Sequence, residues 1–180
     1  MRTTGPRTKQ ALLAAGIKLF EKHGIAGASV DDIVREAGVA KGSFYTHFAD
    51  RSEFLLFVHR TFHDDLRDQI LEIIGPMQHG LDRLGSGTTV YLDGCLNSVG
   101  VKSLLFEARV EPALRDEVAR RNAMFSKVVE ADLRAAGWPL PAEAAKLFVG
   151  MAAEAAYLEM KAGKKLPRVR KALRNFLASD

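Results

Sequence analysis

Apolar residues recur along this chain at helical spacing, and no alternating run is long enough to predict a strand. Leu12, Gly16, Leu19 and Phe20 fall on one face at i, i+4, i+7 and i+8, with Thr8 as the predicted N-cap. His23-Gly24 ends that helix, glycine being suited to the left-handed turn past a helix end. Ser29 caps a second helix over 30–37, and Asp31 and Asp32 complement the positive end of its dipole. Gly38 closes it, and a short third helix is predicted over 41–48. Asp50 caps a fourth, with Glu53 three residues on as in a capping box, and Phe54, Val58, Phe62, Leu66, Ile70 and Ile73 trace its apolar stripe.

Gly75-Pro76 breaks the fourth helix, and the glycine-rich stretch 80–87 reads as a loop. Further helices are predicted over 88–99, 101–110, 113–136, 142–162 and 166–178, the last two separated by Gly163. The pattern predicts an all-α chain of nine helices.

Charge divides the chain into three parts. Residues 1–51 hold eight Lys/Arg against five Asp/Glu, residues 52–160 eleven against sixteen, and residues 161–180 seven against one. A basic opening ahead of an acidic body predicts an anionic partner that meets one end only. The basic cluster 161–174 reads as a solvated face, with a second DNA contact as the alternative. Cys95 is the single cysteine and has no intrachain disulfide partner; on an apolar face it reads as a small buried hydrophobe, with a redox thiol as the alternative. No apolar h-region follows the basic N-terminus, and the longest apolar stretch, 147–158, is interrupted by Glu154. The expectation is therefore a cytoplasmic protein with no membrane partner.

The chemistry concentrates in residues 29–51. Two short helices around Gly38-Val39 make a helix-turn-helix whose crossing is fixed by Ile33, Ala37, Val39 and Phe44. The second helix then presents Lys41, Gly42, Ser43, Tyr45, Thr46 and His47. Small side chains let a backbone approach base edges, while hydroxyls and an ammonium reach bases and phosphates in a major groove.

Over residues 7–56 the sequence resembles the TetR family of one-component transcriptional repressors. The resemblance rests on Leu19-Phe20, Gly24, Ser29, Ile33, Ala37-Gly38-Val39, Gly42, Tyr45-Thr46-His47-Phe48, Arg51 and Leu55. Gly16 stands where alanine is usual, Val34 replaces alanine, and Arg51 replaces lysine. The resemblance implies that Ser29, Tyr45, His47 and Arg51 hold the phosphate backbone while Lys41, Gly42 and Ser43 sit at base edges. It also implies an N-terminal three-helix DNA-binding module over 1–50, joined by a long helix to a helical effector-binding and dimerisation bundle over 51–180.

For that bundle the resemblance implies an apolar effector pocket, expected among Phe62, Leu66, Tyr91, Cys95, Phe106, Arg109, Phe125, Val128, Phe148 and Met151. It implies a four-helix homodimer interface as well, expected at Leu147, Ala155, Leu158, Leu166, Val169, Leu173 and Phe176. The expected partners are double-stranded operator DNA, a small effector and a second copy of the chain, with no cofactor. His59 and His63 have a helical spacing that can hold a metal, but no third ligand accompanies them and no metal site is expected. Nucleophile elbow, metalloprotease motif and P-loop are missing from the sequence, so an enzyme is not expected. A sequence-nonspecific architectural DNA protein remains the alternative.

Overall fold

The structure is a computed structural model that describes residues 5–98 and 112–177. The chain is all-α: eight α-helices and one short 3-10 turn are seen among the described residues, and no strand. They are α1 (Gly5–His23), α2 (Val30–Ala37), α3 (Lys41–His47), α4 (Arg51–Ile74), α5 (Leu81–Asn97), the 3-10 turn Pro112–Leu114, α6 (Arg115–Ala135), α7 (Pro141–Ala162) and α8 (Pro167–Asn175). The helix expected over 101–110 lies outside the described residues. Two compact units are distinguished, residues 5–63 with 112–116 and residues 64–98 with 117–177.

In the first unit α1 starts at Gly5, so Thr8 lies within the helix and is buried rather than capping it. Pro6 explains the earlier start, because a first helical turn has no use for the missing N–H. Leu12, Phe20, Ile33, Phe44 and Phe54 form a fully buried core. Phe44 lies 5.3 Å from Phe48 and 5.5 Å from Phe54, ring centre to ring centre, and Phe48 lies 5.1 Å edge-on to Phe54. Removing one such ring costs about 3–5 kcal/mol. Lys9 lies over the Phe57 ring at 4.3 Å and closes the cluster with a cation. A Cβ added at Gly16 would fall 2.5 Å from Phe54 Cζ, so glycine at this position makes room for the ring.

In the second unit α5 begins at Leu81, and the expected loop over 80–87 is its first two turns. Tertiary packing overrides the glycine signal. Arg83 is buried, donating from Nε to the Ile74 carbonyl at 3.0 Å and from Nη1 to Asp132 at 2.7 Å. Gly87 lies against Ile74 and Ile70, and a Cβ at Gly94 would meet Leu66 Cδ1 at 2.3 Å. Glycines seven residues apart thus seat α4 against α5 at close range. Ile74 is accordingly the buried end of the α4 stripe, whereas Ile73 is half exposed.

The C-terminal helix is held by buried charge. Glu159 is fully buried and accepts from the Leu166 N–H and Arg170 Nε, both at 2.7 Å. Asp93 pairs with Arg170 at 2.7 Å and Lys165 at 2.9 Å, so two cations of the basic cluster are engaged within the unit. Burial pushes the Glu159 and Asp93 carboxyls up, but hydrogen bonds from Arg170, Leu166 and Lys165 outweigh it and leave both below the usual carboxylate range.

Candidate nucleic-acid interface

Helix α2 starts in a complete capping box: the Asp32 N–H donates to Ser29 Oγ at 3.2 Å, and the Ser29 N–H donates to Asp32 Oδ2 at 3.1 Å. Its end is fixed by Gly38 at φ 66°, a left-handed conformation that glycine adopts without penalty. The two residues Val39 and Ala40 then turn the chain into α3. Phe44 anchors α3 in the aromatic core, and Val34 joins Ile33 in the α2 contribution to it. Because only one side of α3 is anchored, the opposite side faces outward.

That outward side carries the expected readers. Lys41, Gly42, Tyr45 and Thr46 are exposed, Tyr45 by 51%, while Ser43 and His47 are half-buried. A Cβ at Gly42 would meet nothing within 4 Å, so the helix surface there is bare backbone open to a ligand. Tyr45 stands edge-on to Phe44 at 5.4 Å, which braces the exposed ring on one side. Thr46 Oγ1 donates to the Gly42 carbonyl at 3.0 Å, one turn back along the helix. His47 closes the row beside the start of α1, where a Cβ on Gly5 would lie 3.6 Å from its ring.

Two features go beyond the reading of the sequence. Lys41 forms an ion pair with Asp31 at 2.8 Å, linking α3 to the first turn of α2 and raising the lysine pKa through that hydrogen bond. Arg51 reaches back to the turn before α2, where Nε donates to the Ala28 carbonyl at 3.1 Å and Nη2 to that of Ile25. An ion pair from α2 to α3 could have been suspected from the Asp31–Lys41 spacing. Nothing local signals the Arg51 contacts, which span 23 and 26 residues.

The same segment is where the chain matches a known protein family. Residues 12–58 match the family described as bacterial regulatory proteins, tetR family. Over those residues the chain is similar to the TetR family. It is 38% identical over 48 residues to the uncharacterized HTH-type transcriptional regulator YerO of Bacillus subtilis, covering 27% of this chain and 17% of that protein. The HTH-type transcriptional regulator HbdR of an Aromatoleum species is 26% identical over 131 residues, 68% of this chain and 56% of that protein. The matches therefore span about a sixth to just over half of these two relatives' lengths. In fold the chain is similar to a TetR-like transcriptional regulator from Rhodococcus sp. RHA1, with a TM-score of 0.80 at 15% identity over 99% of this chain and 97% of that one. Both of the sequence relatives are HTH-type transcriptional regulators.

Eight of the ten residues expected at an effector pocket lie among the described residues. Phe106 and Arg109 lie outside the described residues, and half-buried Phe62 belongs to the first unit. In the second unit Tyr91 faces Phe125 at 6.4 Å and hydrogen-bonds Cys95, which is buried, while Leu66 is buried against Gly94. Val128 and Met151 are half-buried. Phe148 instead lines a narrow crevice with Leu92, Leu173 and Leu177. Burial pushes the Cys95 thiol up to about 12, which makes it a poor nucleophile at neutral pH. The His59 and His63 rings lie 4.4 Å apart, tilted by 49°, but Asp64 pairs with Arg121 at 2.7 Å, and among the described residues no three ligating side chains gather.

The expected dimer face is divided as well. Ala155 and Leu173 are buried in the unit's own core, because α7 and α8 each turn one apolar edge inward. Leu147 is 70% and Phe176 57% exposed, Leu158 is exposed too, and Leu166 and Val169 are half-buried. Leu147, Met151 and Leu158 recur at heptad spacing along one side of α7, and exposed Gly150, with open space where a Cβ would stand, lies beside them. No helix among the described residues is long and apolar enough to cross a membrane.

Proposed function

We propose that this chain is a cytoplasmic, dimeric transcriptional repressor that binds a pseudo-palindromic operator and is released by a small, mostly apolar effector. The observation that carries the reading is the outer face of α3. Lys41, bare Gly42, Ser43 and Thr46 form a surface that fits a major groove, and Tyr45 and His47 flank it toward the phosphates. Residues 1–50 would act as the DNA-binding domain, and 51–180 as the effector-binding and dimerisation domain. The exposed heptad row on α7 together with Phe176 supports a second copy as the partner. The apolar surroundings of Tyr91 and Phe125 support an apolar effector. In a dimer on B-DNA, the two recognition helices would stand about 34–36 Å apart.

Selection on random DNA followed by footprinting tests this. The wild-type chain should return one palindrome with half-sites about one helical turn apart. Gly42→Gln should return a different consensus, since a base contact is worth about 1–3 kcal/mol. Tyr45→Ala should weaken every sequence alike. Protection without a consensus would favour the architectural reading instead.

A further inference from the structure

We infer that Arg51 is a positioning residue for operator binding: it braces the turn between α1 and α2, and through that turn Ser29, rather than itself contacting a phosphate. This deepens the reading above and rests on it. Arg51 is the first residue of α4 and is half-buried, with its guanidinium turned toward the protein. Its Nε and Nη2 reach the carbonyls of Ala28 and Ile25, two buried residues of the same turn, and the Ala28 N–H donates to the Ile25 carbonyl at 3.3 Å. The turn is tight: a Cβ at Gly27 would fall 2.4 Å from the His23 carbonyl oxygen. Ala28 is followed directly by Ser29, the capping residue whose exposed hydroxyl stands at the start of α2.

A planar guanidinium can span two carbonyls with separate N–H groups, whereas an ammonium is a compact point donor on a flexible stem. Arginine in place of the lysine expected from the family pattern therefore changes what this position does. A side chain that commits two of its five N–H groups to main-chain carbonyls gives the α1–α2 turn one conformation, and the turn sets where Ser29 stands, with its hydroxyl held by Asp32. Phosphate contacts in this corner of the interface then come from neutral donors, which release no counterions of their own.

Arg51→Lys and Arg51→Gln, each alone and combined with Ser29→Ala, test the inference by titration against the selected operator over a range of salt. Both single variants should lose affinity about tenfold or more, as expected for losing hydrogen bonds from a charged group, with the salt slope unchanged. Ser29→Ala should cost less in either background than in the wild type, because the turn that places the serine is no longer braced. Amide exchange at Ser29 and Asp32 should quicken in Arg51→Lys, a readout that needs no DNA. If Arg51→Lys keeps wild-type affinity, or Arg51→Gln lowers the slope by about 0.9, the residue is a phosphate contact and the inference fails. Full additivity with Ser29→Ala overturns it too. Absence of operator binding by the wild-type chain would instead remove the repressor reading, leaving the exchange measurement to decide the role of Arg51 in the turn.

Discussion

A single methyl group separates Gly16 from the alanine usual at this place in the family pattern, and the structure assigns that methyl a steric cost. Propensity alone favours alanine in a helix interior by about 1 kcal/mol. A Cβ here would sit 2.5 Å from Phe54 Cζ, and Phe54 is fully buried among Phe20, Phe44 and Phe48. The ring has nowhere to go, and overpacking of this kind costs about 1–3 kcal/mol. Gly16→Ala should therefore lower the urea midpoint, and adding Phe54→Leu should recover part of the loss. A raised midpoint in the single variant would show that the ring yields more easily than its neighbours suggest. From sequence, Gly16 reads only as a weak spot in a helix, because the atom it avoids is 38 positions away. The Ser29 cap and the Gly38 helix end were legible, since both depend on neighbours in the chain, whereas Asp32 was read only as a dipole partner and not as the other half of a capping box.

At the scale of elements, α8 depends on charges that belong to other helices. Arg170 pairs with Glu159 of α7 and Asp93 of α5, and Glu159 is wholly buried. Both carboxyls lie below their ordinary range, so their contribution is present above about pH 4.5 and is lost as the pH falls. Arg170→Met reverses the sign at Glu159. Without its cation, burial raises that carboxyl, and the native state then favours the protonated form, so stability drains away as pH rises. The variant should be about 3–5 kcal/mol less stable than wild type at pH 7, the usual cost of stranding a buried charge. The gap should narrow at pH 4. Urea unfolding at both pH values checks it, and a gap that widens in acid would mean that Glu159 is not the stranded group. The sequence shows Arg170 only as one cation in a basic run, and periodicity gives no hint of which cations are spent internally. The 80–87 loop was misread for a related reason: glycines that usually break a helix here admit a neighbouring one.

For the whole molecule, an amphipathic stripe shows that a face is apolar but not whose core it serves. Ala155 and Leu173 serve this chain, while Leu147 and Phe176 are left on the surface. A test of dimerisation should therefore avoid Leu173, whose replacement would damage folding. Leu147→Glu with Phe176→Glu should give a folded monomer by light scattering and circular dichroism. Operator affinity should collapse, because a second docked head normally benefits from an effective concentration of about millimolar. A dimer with normal affinity would place the subunit contact on another surface.

Gly150 sets two kinds of stability against each other. It lies on the exposed side of α7 beside Leu147 and Met151, with open space where a Cβ would stand. Alanine there meets no obstacle within the chain, so it should stabilise α7 by about 1 kcal/mol. In the proposed dimer the same bare spot would let two backbones approach closely, and a methyl from each copy would hold them apart. Gly150→Ala should thus raise the melting temperature of the dilute, dissociated chain while shifting the dissociation midpoint to higher protein concentration. A melting curve whose dependence on concentration steepens or flattens between the two forms reports the trade directly, and a variant improved on both counts would put the seam of the dimer elsewhere on α7.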